Sequence, residues 1–361
     1  MSAQVAGARM PAEWEPHAAT WLVWPHNRDD WGVRTGAVEW CYVEMIRHLV
    51  RAERVALVCQ DARVRQRACS RLERSGVDMA RIDLHLIATN RSWIRDSGPI
   101  FVVRGTGPRR TVLATDWRFT GWSRYRAHAL DDALPRHIAR RLGMKRIDLR
   151  DGAGRVVLEG GSIDVDGSGL LLTTETCLLG HAQARNPGLS REVLEQILER
   201  FLGVKQVLWL PGGDGETVLA GDDTHGHVDN VARFVGPATV LAAETDNRHD
   251  PRYPLLAANM ARLRSLRTAQ GRTIGVIPIR MPRPLVFDGE PLPASYLNFY
   301  IANDVVLVPT FNDPADRDAL STLANCFPER EVVGIHAVDL IVGLGAIHCV
   351  TQQQPTGHNS P

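Results

Sequence analysis

The sequence has no long hydrophobic run. No stretch approaches the ~20 apolar residues that cross a bilayer as a helix, and the opening MSAQVAGARMPAEWEP has no apolar core of signal-peptide length. A membrane partner is therefore not expected, and a cytoplasmic setting is. Paired cysteines are also missing. The six cysteines (Cys41, Cys59, Cys69, Cys177, Cys326 and Cys349) include no CxxC spacing, so a disulfide framework is excluded and six free thiols are expected. Net charge is nearly absent, with 42 Lys plus Arg against 41 Asp plus Glu, so no field draws in nucleic acid or an anionic surface. Finally, no low-complexity linker marks a boundary. The expectation is one domain over 1–361, with short disordered ends at about 1–9 and 356–361.

What the chain does contain is a globular balance, 44% hydrophobic and 23% charged, arranged as alternating helices and hairpins. SREVLEQILERFLG predicts a surface helix, capped by Ser190, stopped by Gly203, and burying Val193, Leu194, Ile197, Leu198 and Phe201. NDPADRDALSTLANCF predicts another, with Asp313 as its cap, Pro314 in its first turn, and Leu320, Leu323, Ala324 and Phe327 facing inward. Weaker helical patterns cover 36–50, 62–75, 131–142 and 251–267.

Between the helices a unit recurs in which a polar motif leads into an apolar strand, a turn and a second apolar strand. It starts at Arg95 (RDSGPIFVVRGTGPRRTVLAT), Glu159 (EGGSIDVDGSGLLLTT), Gly226 (GHVDNVARFVGPATVLAA) and Ser295 (SYLNFYIANDVVLVPTF). Asp96, Glu159, Asp229 and Tyr296 mark it at separations of 63, 70 and 67 residues. A strand lacking a following partner, GAIHCVTQ, lies near the end, and one lacking a preceding partner, HAATWLVWP, near the beginning. Joining them makes a fifth unit and a circular architecture. In a circle the leading strand ends meet, bringing together Asp96, Glu159, Asp229 and Cys349.

A lone cysteine in an apolar stretch is ordinarily a small buried hydrophobe, and each carboxylate alone could be a cap or an ion-pair partner. Together they specify a chemistry. His227 and Asp229, two residues apart in an expected strand, leave on the same face. Carboxylates around a thiolate repel a developing oxyanion but suit a planar guanidinium, which they hold through paired hydrogen bonds. Cys349 then attacks the guanidinium carbon, His227 moves the protons, and Glu159 supports the imidazolium.

The segments SWIRDSGP, TDWRF, LEGGSIDVDGSGLLLTTETCLL, RNPGLS, GDDTHGHVDNVARF, ASYLNFYIAN, VPTFNDPADRDAL and IHCVTQQQP resemble, over almost the whole chain, the agmatine deiminases of the guanidine-modifying superfamily. The resemblance implies a five-bladed, pseudo-symmetric α/β propeller (the pentein fold), closed by the two chain termini. It implies hydrolytic deimination of agmatine through an amidino-cysteine on Cys349, with His227 as acid and base, and no cofactor or metal. Asp96 and Asp229 are implied as guanidinium ligands, Glu159 as the partner of the histidine, and Asp223 and Trp93 as further substrate contacts. The expected partner is a small cationic guanidine, and a homo-oligomer is compatible with it.

This chain departs from the pattern at His225, at GLGA with Leu344, at TGWSRY over 120–125, and in the insertion GGDGETVLAG. Deimination of peptidyl-arginine or another small guanidine is therefore the alternative, since Arg124 or Arg126 could accept a carboxylate. A rival from another class makes His225, His227 and Asp229 ligands of a hydrolytic metal. A third reading is a non-catalytic binder of guanidino compounds.

Overall fold

The computed structural model describes residues 7–150, 154–211 and 218–359. The chain is an α/β protein in which one plan is repeated across five sheets, with a separate two-stranded ribbon formed by Leu285–Phe287 and Glu290–Leu292. In each sheet an antiparallel hairpin is followed by a helix, and the chain then returns parallel to the second strand. Ile163–Val165 and Leu170–Thr174 pair antiparallel, and after helix Arg191–Leu202 the strand Gln206–Leu210 joins in parallel. The same order builds Ala232–Gly236, Thr239–Glu244 and Gly275–Arg280 around helix Tyr253–Ser265. Tyr300–Ile301, Val305–Thr310 and Glu331–His336 follow it around Asp316–Cys326, and Ile100–Arg104, Thr111–Asp116 and Arg146–Asp148 around Leu134–Arg141. Strands such as VALVC, LLLTT and VVLVPT read as unbroken apolar runs because they are covered on both faces.

The fifth sheet joins the two ends of the chain. Gln352–Pro355 pairs antiparallel with His17–Val23, which is parallel to Arg54–Cys59 and, beyond it, Ile82–Leu86. Of the ends expected to be disordered, Ala8–Arg9 and His358–Asn359 instead pair as short strands with Ile100–Arg104 and Thr111–Asp116. The outermost residues, and residues 212–217 of the expected insertion, lie outside the described residues. Among the described residues no sheet closes on itself, and no helix is long and apolar enough to cross a membrane.

Local signals explain most element ends. Ser190 Oγ accepts the Val193 N–H, and Gly203 closes that helix at φ 68°, a left-handed conformation that costs glycine least. Val193 itself is 38% exposed, on the outer edge of the face expected to bury it. The second expected helix starts at Asp316, not in the first turn after Asp313. The Asp313 carboxylate accepts the Ala315 N–H, making a separate turn ahead of the helix.

The larger difference lies in the polar motifs, which are not strand residues. Asp96 sits in the helical turn Ile94–Ser97, Glu159 just before Gly160–Ser162, and Asp229 within Val228–Asn230. His348 and Cys349 likewise occupy turns ahead of Gln352. A single helical turn at the mouth of each leading strand sends these side chains toward a common centre.

Candidate functional site

The centre lies at Gly161. A β-carbon on this residue would come within 2.6 Å of His227 Nδ1, 2.8 Å of Asp96 Oδ1 and 3.0 Å of Asp229 Oδ2. Glycine is therefore required here by close approach, because three ionisable groups from two separate turns crowd its α-carbon. The Gly161 N–H binds Asp96 Oδ1 at 2.9 Å, and the Trp122 indole N–H binds Asp96 Oδ2 at 2.9 Å, which fixes that carboxylate in a plane. Burial raises the Asp96 pKa, opposed by His227 and reinforced by Asp229 and Glu159.

Cys349 is 5% exposed, with its Sγ 3.2 Å from the Asn298 amide Nδ2 and 4.0 Å from Asp229 Oδ2. Burial pushes the thiol well above its usual range, and the Asp229 and Asp96 carboxylates push it further. Asp229 also faces His348, whose Nδ1 is 2.7 Å from Oδ2, and no hydrogen bond reaches Oδ1. Burial would raise the Asp229 pKa, but His348 and then His227 outweigh it and hold the group below the ordinary aspartate value.

His227 stands between two carboxylates, with Nδ1 3.8 Å from Asp96 Oδ1 and Nε2 3.5 Å from Glu159 Oε2. Burial works against its charged form. Asp96, Cys177 and Glu159 outweigh that effect and hold the imidazole well above its usual range. Arg185 Nε reaches both Glu159 oxygens, at 3.1 and 3.2 Å; burial would raise the Glu159 pKa, but Arg185 and His227 together outweigh it and hold it below the ordinary glutamate value. His227 and Asp229 thus meet at the centre, although through a 3-10 turn and not through strand alternation.

The metal reading fares differently. Among the described residues one group of three potential donors comes within mutual reach, Glu159, Cys177 and His227, and it includes neither His225 nor Asp229. The H-x-H-x-D spacing does not form a set, because His225 lies in a turn at φ 61° and His227 begins the next. Glu159 is already committed to the Arg185 guanidinium, a fixed cation next to the position an ion would take.

The remaining expected contacts lie at the edge of the centre. Trp93 packs against Gly343 and Gly345, where added β-carbons would strike its ring at 3.0 and 2.6 Å, and Gly345 in turn abuts the Cys349 β-carbon. Asp223 accepts a hydrogen bond of 2.8 Å from the Tyr125 hydroxyl, and burial raises its pKa to about 6. Asp222 supports the turn instead, binding the N–H groups of Thr224 and Gly226. Arg91, ion-paired with Asp30, and Arg124 both lie over the Tyr125 ring, at 4.3 and 5.6 Å.

Trp122, Tyr125, Cys177, Arg185, Asn298 and His348 belong to the site and were not singled out by the sequence. Each had a signal in its surroundings, Cys177 lying in LEGGSIDVDGSGLLLTTETCLL. Arg185 opens the RNPGLS segment, Asn298 lies in ASYLNFYIAN, His348 precedes Cys349, and Trp122 and Tyr125 form the altered TGWSRY stretch.

The chain is similar to known proteins over almost its whole length. The family model of the Porphyromonas-type peptidyl-arginine deiminases matches residues 9–355. Agmatine deiminases of Ectopseudomonas mendocina and Stutzerimonas stutzeri are 38% and 39% identical, each match covering 97% of this chain and 96% of the relative. The solved structure of the Enterococcus faecalis agmatine deiminase superposes with a TM-score of 0.86 at 32% identity, covering 97% of this chain and 96% of that one. From residue 9 to residue 355, the chain belongs to the Porphyromonas-type peptidyl-arginine deiminase family.

Proposed function

We propose that the chain hydrolyses agmatine to N-carbamoylputrescine and ammonia through a covalent amidino-cysteine on Cys349. It would do so in a single domain whose five repeats are the blades of a propeller. The observation that carries the reading is the crowding of His227, Asp96 and Asp229 onto Gly161 beside a buried thiol. Asp96 and Asp229 both approach this one point, and paired carboxylates suit a guanidinium. That cation would also activate the nucleophile, since a thiol raised by two carboxylates loses its proton more easily once a positive charge lies beside them.

The steps then balance. Cys349 releases its proton to solvent and attacks the guanidinium carbon, giving a neutral tetrahedral adduct. His227, cationic at the start, donates its proton to one nitrogen, which leaves as ammonia, and a thiouronium cation remains on sulfur. Neutral His227 takes a proton from water as the oxygen bonds to carbon. Collapse forms the carbonyl, breaks the C–S bond and returns a proton to the thiolate. Glu159, held by Arg185, stabilises the imidazolium at both ends of the cycle.

Agmatine is favoured over arginine because Asp223 offers negative charge at the edge of the centre, while Asp30 offsets Arg91. Arg124 favours a second reading, a substrate with a carboxylate or peptide carbonyl, such as peptidyl-arginine. Comparing kcat/KM for agmatine, arginine and a blocked arginine peptide decides between them. A clear preference for arginine or the peptide overturns agmatine. Activity that survives chelation and is lost to thiol alkylation, with substrate protecting, supports the cysteine mechanism. Loss on chelation and recovery with zinc overturns it.

A further inference from the structure

One buried link in the site is used by none of the steps above. The His348 imidazole is 2% exposed and touches a carboxylate at each nitrogen, Asp229 Oδ2 at 2.7 Å through Nδ1 and Glu13 Oε2 at 2.9 Å through Nε2. Glu13 is itself held on several sides. Its Oε1 accepts from Arg233 Nη2 and the Ile301 N–H, each at 2.9 Å, and its Oε2 accepts from Arg95 Nη2 at 3.1 Å. The backbone of His348 is tied as well, its N–H to the Asn298 carbonyl at 3.0 Å and its carbonyl to Arg95 Nε at 3.2 Å. Neither the ring nor its anchor has room to turn.

At the other end of this link the two Asp229 oxygens differ. Oδ2 carries the histidine bond, whereas Oδ1 is buried with no hydrogen-bond partner among the described residues. A buried carboxylate oxygen left bare is costly unless a ligand completes it. We propose that His348 is a positioning residue for guanidinium binding: anchored by Glu13, it holds Asp229 through Oδ2, the oxygen that faces Gly161 and Cys349 Sγ, and so fixes the carboxylate that receives the substrate. This rests on the deiminase reading and adds a determinant of affinity to it. The bond fixes the plane of the carboxylate before the substrate arrives, so the alignment is built in and not assembled at each turnover.

The test uses His348→Ala, His348→Asn and His348→Gln in the full chain. The Asn amide nitrogen replaces Nδ1 and keeps the donor toward Asp229, whereas the Gln amide nitrogen replaces Nε2 and keeps the donor toward Glu13. The Ala and Gln variants are expected to weaken agmatine binding to the Cys349→Ala protein by about 10- to 100-fold, the size of a lost hydrogen bond to a charged group, and to raise KM in the Cys349 background. The Asn variant is expected to restore most of that affinity. A merely structural histidine predicts equal losses for Asn and Gln, or lower stability with KM unchanged, and either result overturns the inference. If the Ala and Gln variants do not fold, Glu13→Gln reads the link from its far end: KM rises with kcat within about threefold, and an unchanged KM is contrary. Wild-type protein that fails to release ammonia from agmatine overturns the deiminase reading instead, so the two failures are distinct.

Discussion

At the scale of single residues, the site stores charge in an unfamiliar order. The nucleophile is held as a thiol by burial and by Asp229 and Asp96, whereas the acid is held as an imidazolium against burial, by Asp96, Cys177 and Glu159. Cys349→Ala is expected to lower kcat by roughly 10⁴-fold or more while leaving the thermal transition in place, since Cys349 is the nucleophile of the proposed reaction. A stopped-flow or endpoint ammonia assay beside a melting curve checks both halves. Asp223 gives a second prediction with a defined sign. Its pKa is raised to about 6, so it is charged above that pH and neutral below it. The KM for agmatine should therefore rise as pH falls from about 7 to about 5, and Asp223→Asn should flatten that dependence. A pH profile of KM unaltered by the substitution removes Asp223 from the binding site. The sequence pointed to the groups that meet at this scale, Cys349, His227, Asp96, Asp229 and Glu159, because reactive groups are few and recur at motif positions. It did not disclose Arg185 or Asn298, whose importance lies only in what they touch.

At the scale of elements, the apolar periodicities told helix from strand correctly, and the caps at Ser190 and Gly203 were legible to the residue. The polar motifs were misread as strand ends. Their period carries no signal, since three or four residues make barely one helical turn and burial is complete on every side. Yet the turn is what aims them. Gly161, in one such turn, is the position where this matters most. Its φ is not in the left-handed region, so alanine is tolerated by the backbone and the damage falls on the site alone. Gly161→Ala is expected to reduce kcat/KM by at least about 100-fold, the scale of misplacing reacting groups by an ångström, with stability changed by no more than ~1–3 kcal/mol. Kinetics beside a urea titration distinguish this from unfolding. In the capped helix, Ser190→Ala should cost about 1 kcal/mol and leave kcat/KM untouched.

At the scale of the molecule, the repeat was legible as hairpin spacing, and so was the meeting of the two ends, which Gln352–Pro355 and His17–Val23 make. What the spacing had no means to reveal is the ionic centre beneath the site. Glu13 and His348 are 335 residues apart in sequence, and their side chains meet across that separation. The cluster nonetheless connects the repeats, because its members are neighbours in sequence of the groups that do the chemistry. Arg95 precedes Asp96, His348 precedes Cys349, and Arg233 follows Asp229 on the strand it leads into. Glu13, from the first segment, touches Arg95, Arg233 and His348 together. Burial alone would raise its pKa, but Arg233, His348 and Arg95 outweigh that and hold it well below the ordinary glutamate value. By linkage, a carboxylate with a depressed folded pKa adds stability that is present above its unfolded value, near 4.5, and is lost as pH falls through the lower folded value. Removing the charge by mutation should mimic that loss at neutral pH. Glu13→Ala leaves two buried guanidinium groups and a buried imidazole without their shared anion, and breaking such a pair typically costs ~3–5 kcal/mol. The expected outcome is a urea midpoint displaced by that amount, together with unfolding of both chain ends in the same transition, read by amide exchange at Trp21 and Gln354, which are joined side chain to side chain. Exchange confined to the N-terminal segment, with the sheet that unites the ends still protected, would mean that closure depends on strand pairing and not on the charge at its centre.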